Sequence, residues 1–249
     1  MTIPPMAEPV PAEASILEIH DLTSGYGDVQ ILWAASLALQ PGRLTALIGS
    51  NGAGKTTLLR TIMGLLRPWA GSVTFEGRDI RALPPNAKPD LGLVLVPEGR
   101  QLFTDMTVIE NLELGAVNRR ARSRLNQNLE RVMEVFPRLK ERRDQRTETL
   151  SGGEQQMVAV ARGLMAEPKV LMLDELSLGL SPLLTISLFE VLQKLRKEGL
   201  TMLLVEQNVR LALAVSDYAY VLSEGRMVLA GPAAEVERND QVQRAYLGL

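Results

Sequence analysis

The spacing of apolar residues changes character several times along this chain. Early on, apolar positions alternate with polar ones or form short blocks. "ILEIHDL" at 16–22, "VQILWAASLAL" at 29–39 and "LTALIG" at 44–49 predict strands. "TTLLRTIMGLL" then carries its apolar residues at helical spacing. "SVTFEG" at 72–77 and "LGLVLVPE" at 91–98 return to strand character. Between about 99 and 165, arginines and glutamates recur at helical spacing, as in "NLELGAVNRRARSRLNQNLERVMEVF", with few β-branched runs. Strands resume with "KVLMLDE" at 169–175 and "TMLLVE" at 201–206, on either side of a helical "SPLLTISLFEVLQKLRKEG". "YAYVLSEGRMVLAG" predicts two short strands joined by a turn at Ser223 to Arg226. This order predicts an α/β fold with a mainly parallel sheet. The expected organisation is a flexible tail over 1–15 and a core over 16–98 and 166–249, with a helical lobe inserted over about 99–165.

Composition narrows the class only slightly. At 249 residues, with 46% hydrophobic and 22% charged, the chain can bury a substantial core. A net charge of −2 gives no electrostatic reason to expect nucleic acid as a partner. The run "NRRARSR" at 118–124 fits a solvated helix face better than a nucleic-acid site, because the pattern around it is balanced and amphipathic. There is no cysteine, hence no disulfide and no thiolate metal site. The opening "MTIPPMAEPVPAEAS" has no basic residue and no continuous apolar segment, so it predicts no signal peptide. No apolar run is long enough for a transmembrane helix. If the chain works at a membrane, something else holds it there.

The chemistry begins with "GSNGAGKTT", residues 49–57, which matches G-x-x-x-x-G-K-[ST] between a buried strand and a helix. Gly49, Gly52 and Gly54, with Ser50, Asn51 and Ala53 between them, let backbone N–H groups turn toward a phosphate. The helix from Lys55 adds its positive end. Lys55 is expected to reach the β- and γ-phosphates, Thr56 to ligate Mg²⁺, and Thr57 to complete the loop. "VLMLDE" places Asp174 and Glu175 at a strand's carboxyl end. Asp174 is the second expected Mg²⁺ residue. Glu175 is placed to take a proton from an attacking water.

A second candidate is "LSGGEQQ". Apolar positions predict a helix from about Gly153 to Ala166, with Ser151 as N-cap and Glu154 completing a capping box. Gly152 and Gly153 would destabilise a helix start unless something approaches it closely, such as a γ-phosphate.

The phosphate loop, "LSGGEQQ" and "LMLDE", in this order, resemble the nucleotide-binding subunits of ATP-binding-cassette (ABC) transporters, over nearly the whole chain from about Leu17. The resemblance implies an ATPase with an N-terminal antiparallel β portion and an inserted helical lobe, working with ATP and Mg²⁺. It implies two ATPase subunits meeting head to tail, as a homo- or heterodimer. Ser151, Gly152, Gly153 and Glu154 would then serve the partner's ATP, and Tyr26 in "SGYG" would stack on adenine. Two membrane permease subunits and an extracytoplasmic solute-binding protein complete the implied assembly, with this chain on the cytoplasmic face of the cell membrane.

Four positions depart from the usual pattern, the first being Leu176, where proline is common. Glu98 stands where most relatives have glutamine and is a further candidate for Mg²⁺ or its water. Ser181 stands where many have aspartate. Gln207, in "LLVEQN", occupies the place of a histidine that contacts the γ-phosphate; it either donates to that phosphate or caps the next helix. Together with "VPEGRQLF", "MTVIENL" and "SLGLSP", these features resemble the LivF-type subunits of branched-chain amino-acid importers. A urea importer, a lipopolysaccharide exporter and a soluble cassette ATPase remain as alternatives. Phe103, Met106 and Val108 form either an apolar docking cleft or ordinary core.

Overall fold

The computed structural model describes residues 15–247. The expected tail, apart from Ser15, lies outside the described residues. The chain divides into two compact units, 1–85 with 196–249, and 86–195.

In the first unit, β1 (Leu17–Tyr26) and β2 (Val29–Leu39) pair antiparallel across a tight turn. With β4 (Ala70–Phe75) and β5 (Arg78–Asp79) they form a sheet of order β2-β1-β4-β5. Register shifts interrupt the β1–β2 ladder between Ile19 and Leu22, beside Asp21 at φ 47°; Ala34, at φ 51°, is another left-handed non-glycine residue in this pair. Such bulges bend and twist a sheet. The second sheet portion of this unit holds β3 (Leu44–Ile48), β8 (Thr201–Glu206), β9 (Tyr218–Ser223) and β10 (Arg226–Pro232). Its order is β10-β9-β3-β8. β3 runs parallel to both neighbours, and only the terminal hairpin is antiparallel.

Every residue of β3 and β8 is buried. Strands covered on both faces read as continuous apolar runs, which is why "LTALI" and "TMLLV" show no alternation. The Tyr220 hydroxyl ties β9 to β2, accepting from the Ala38 N–H at 3.0 Å and donating to its carbonyl at 3.3 Å. Burial pushes that phenol up to about 12. α1 (Lys55–Ile62), α9 (Val209–Val215) and α10 (Ala233–Arg238) also belong to this unit.

The second unit carries the parallel pair β6 (Leu93–Val96) and β7 (Val170–Asp174). Its helices are α2 (Lys88–Leu91), α3 (Val108–Gly115), α4 (Arg119–Ser123), α5 (Leu125–Val135), α6 (Pro137–Glu141), α7 (Gly152–Leu164) and most of α8 (Pro182–Lys197). Residues 99–165 contain helices and no β-strand. α8 buries Leu188, Phe189, Leu192 and Leu195, one stripe at helical spacing. Truncating any one to alanine would cost about 2–5 kcal/mol. Val108 is fully buried, whereas Phe103 and Met106 are exposed. The three therefore do not form one apolar cleft: Val108 is core, because it opens α3 facing inward.

Candidate functional site

In the first unit, β3 ends at Ile48 and the chain turns through residues 49–54 into α1. Two glycines there are required by geometry. A Cβ on Gly49 would stand 2.3 Å from the Leu222 carbonyl oxygen, and Gly54 sits at φ 107°, a left-handed backbone that side chains disfavour. Gly54 is the N-cap of α1, so no side chain caps this helix, and its first turn holds no acid. The first N–H groups of a helix have no partner within it, and an uncapped turn of this kind is where anions bind. Lys55 is 4% exposed and folds back over the loop, its Nζ donating to the carbonyls of Gly49 at 3.0 Å and Ser50 at 3.2 Å. An ammonium so placed meets oxygen acceptors already, and phosphate oxygens are better ones. Thr56 is half-buried beside it and Thr57 is buried.

Two more expected residues lie in this unit. Tyr26 is 41% exposed, and its hydroxyl accepts from Arg60 Nη1 at 3.3 Å. β8 pairs Glu206 with Ile48, so Gln207 follows at the level of Gly49. Glu206 is 1% exposed, whereas Gln207 is exposed. The cap of α9 is Asn208, whose side chain accepts from the Leu211 N–H at 3.2 Å. The capping alternative for Gln207 is thus filled by its neighbour.

In the second unit, β7 ends at Asp174, which is 2% exposed. Glu175 follows at φ 48°, a left-handed conformation that costs a non-glycine residue about 1–3 kcal/mol. It lines a cleft of about 330 Å³ together with Glu98, Arg100, Gln155 and Gln156. The structure therefore brings Glu98 and Glu175 to one cavity, beside the first turns of α7. In this unit Asp174 offers a carboxylate, and in the first unit Thr56 offers a hydroxyl; each is a hard oxygen donor of the kind Mg²⁺ takes.

The start of α7 is built differently from that of α1. The Ser151 hydroxyl accepts from the Glu154 N–H, and Glu154 accepts from the Ser151 N–H at 2.9 Å and its hydroxyl at 2.8 Å. Arg142 Nε holds the other Glu154 oxygen at 2.8 Å. Burial opposes the charge on Glu154, but the Ser151 hydrogen bonds and the Arg142 charge outweigh it and keep the carboxyl below its usual range. The capping box is therefore formed as expected. The two glycines also have an internal reason. A Cβ on Gly153 would stand 2.3 Å from Leu184 Cδ1, and one on Gly152 would stand 3.0 Å from Arg100 Nη2. Close approach by the chain's own side chains thus accounts for Gly153, whereas at Gly152 the neighbour is the flexible end of an arginine.

Sequence reasoning passed over Arg100, Arg162 and Gln155. Arg100 lies 55 residues from its partner Gln155, and no local periodicity links them. The one available signal is the side-chain length of an arginine directly after Glu98 and Gly99.

The family model described as "ABC transporter" matches residues 32–177, more than half of the chain. The high-affinity branched-chain amino acid transport ATP-binding protein BraG of Pseudomonas aeruginosa is 43% identical over 233 residues, covering 94% of this chain and 100% of BraG. The lipopolysaccharide export system ATP-binding protein LptB of Escherichia coli is 32% identical over 240 residues, covering 93% and 97%. Among solved structures, the ADP conformation of MJ1267, an ATP-binding cassette of an ABC transporter, matches with a TM-score of 0.81 at 28% identity, covering 94% of this chain and 99% of that one. Bare phosphate loop, capped glycine-rich helix and strand-end acids thus stand within a matched cassette, and the chain belongs to the ABC transporter family as a P-loop ATPase.

Proposed function

We propose that this chain is the ATP-hydrolysing subunit of a membrane importer for branched-chain amino acids. In this reading, two ATPase subunits close head to tail on ATP and so drive transport. The solute and the inward direction are supported by the higher identity to BraG, 43%, than to LptB, 32%. The mechanism is carried by one observation: α1 opens on glycine with no side-chain cap and no acid, beside a buried lysine.

The backbone of residues 49–54 and the first turn of α1 hold the β- and γ-phosphates, with Lys55 adding charge-assisted bonds. Tyr26 supports the adenine ring. Thr56 and Asp174, with Glu98 through a direct or water contact, hold Mg²⁺, which neutralises charge on the phosphates when bound. Glu175 accepts the proton of the attacking water. Gln207 donates an amide hydrogen bond to the γ-phosphate, a contact without the titration of a histidine. Ser151, Gly152, Gly153 and Glu154 present α7 to the ATP of the partner ATPase. No described helix is long and apolar enough to cross a membrane. Two permease subunits, supplied by a solute-binding protein, hold the chain at the cytoplasmic face.

The test is Glu175→Gln in the assembled transporter. Hydrolysis is expected to fall about 10²- to 10⁴-fold with ATP binding retained. Labelled leucine uptake should stop with it, while urea is not carried by either form. Undiminished hydrolysis, or urea uptake in place of leucine, contradicts the proposal.

A further inference from the structure

The segment that follows Glu98 is held in a conformation the sequence disfavours. Gly99, Arg100 and Gln101 are three consecutive left-handed residues, at φ 79°, 64° and 46°. Non-glycine residues persist there only when their surroundings over-determine them. The surroundings are α7. Arg100 Nη1 donates to Gln155 Oε1 at 2.7 Å, and its Nε reaches Gln156 Oε1 at 3.4 Å. In return, Arg162 Nη2 donates to the carbonyls of Arg100 at 3.1 Å and Gln101 at 2.7 Å. Each element thus sends one arginine into the other.

Gln155 closes the circuit. Its Nε2 donates to the Thr147 carbonyl at 2.9 Å, and the Thr147 hydroxyl donates to the Phe103 carbonyl at 3.0 Å. Asn111, fully buried, fixes the same residue from the other side, accepting from the Phe103 N–H at 3.0 Å and donating to its carbonyl at 2.9 Å. Gln155, in the first turn of α7, thus bonds to Arg100 directly and to Phe103 only by way of Thr147, with Asn111 holding Phe103 as well. That turn also contains Ser151 and the glycines, and the Gln155 N–H bonds to the Ser151 carbonyl at 2.9 Å.

We propose that Arg100 is a positioning residue for ATP hydrolysis, acting through Gln155 to fix the start of α7 relative to the loop that carries Glu98 and the exposed Phe103. This rests on the reading of α7 as the surface offered to a partner's ATP. A guanidinium is suited to the task because its planar fork serves two amide oxygens in fixed directions, which a lysine ammonium does not. Loosening the clamp leaves the phosphate loop intact, so the chain still binds its own nucleotide. What it loses is the geometry reached only on closure, an effect on turnover rather than on ground-state binding.

The experiment compares full-length wild type, Arg100→Ala, Arg100→Lys, Gln155→Ala and the Arg100→Ala/Gln155→Ala double variant. The readouts are kcat and KM for Mg-ATP, equilibrium ATP binding and melting temperature. Arg100→Ala is expected to lower kcat about tenfold, as loss of a charge-assisted bond pair does, with KM and ATP affinity within about twofold. Arg100→Lys should recover part of the loss. The double variant should be no slower than about twofold below Gln155→Ala, because the two residues act as one unit. A kcat for Arg100→Ala within about twofold of wild type overturns the proposal, as does a multiplicative double variant. A loss that Arg100→Lys does not relieve, accompanied by a lower melting temperature, reduces the residue to a structural one and also overturns it. A wild type that does not hydrolyse ATP even in the assembled transporter defeats the transporter reading itself, whereas an active wild type with an equally active Arg100→Ala defeats this inference alone.

Discussion

Helices α1 and α7 both open beside glycines, yet they treat their first turns in opposite ways. At α1 the N-cap is Gly54, which has no side chain to cap the helix, and no acid lies in the first turn. At α7 a capping box of Ser151 and Glu154 is complete, and Arg142 braces it from outside. A bare helix start is unstable until an anion arrives, so binding and helix stability are linked there. A capped start stands on its own and gains little from a ligand. The box in fact engages the Ser151 hydroxyl with Glu154, so only the glycine N–H groups remain outside it. This contrast suits the proposed division of labour, in which α1 holds the chain's own nucleotide and α7 meets a partner's. α3 supplies a control. It carries the same box, Thr107 with Glu110, without adjacent glycines, and nothing there suggests a ligand.

The contrast can be broken by removing its strongest element on each side. Lys55→Ala should weaken ATP affinity by about 10²-fold, the worth of two charge-assisted bonds, with little change in melting temperature. Calorimetric titration checks the first part and thermal unfolding the second. On the other side, Glu154→Ala removes half the box and leaves Arg142 without its carboxylate. It should cost about 1–2 kcal/mol of stability in denaturant unfolding, with ATP affinity unchanged.

A smaller effect sharpens the same point through pH. The folded-state pKa of Glu154 is depressed, so its ionised form contributes stability above the ordinary glutamate value of about 4.3. That contribution is lost as pH falls through the lower folded value. Wild type should therefore exceed Glu154→Gln in melting temperature at neutral pH, and the gap should narrow below about pH 4. A gap independent of pH would place the stabilisation in packing rather than charge.

Much of this was legible in the chain because the signals are local. "VQILWAASLAL" and "TMLLVE" coincide with β2 and β8, since an apolar run bounded by turns is decided by its own residues. The capping box at Ser151 is equally local. Offsets of a single residue were not legible. Asn208, not Gln207, caps α9, because a cap depends on where the backbone leaves the strand. Proximity in sequence groups Val108 with Phe103, but the helix that begins at Val108 turns it inward. The bulge near Asp21 has no glycine to announce it. Least visible was the Arg100–Gln155 clamp, which exists only once the segment after β6 lies against α7.

The division between the two helix starts is tested most directly by ATP titration of isolated Ser151→Ala alongside Lys55→Ala, with hydrolysis assayed on the same preparations. The account predicts that Ser151→Ala binds ATP within about twofold of wild type while hydrolysing it about tenfold more slowly. If Ser151→Ala instead loses ATP affinity to the same degree as Lys55→Ala in a strictly monomeric chain, α7 serves the chain's own nucleotide and the account is contradicted.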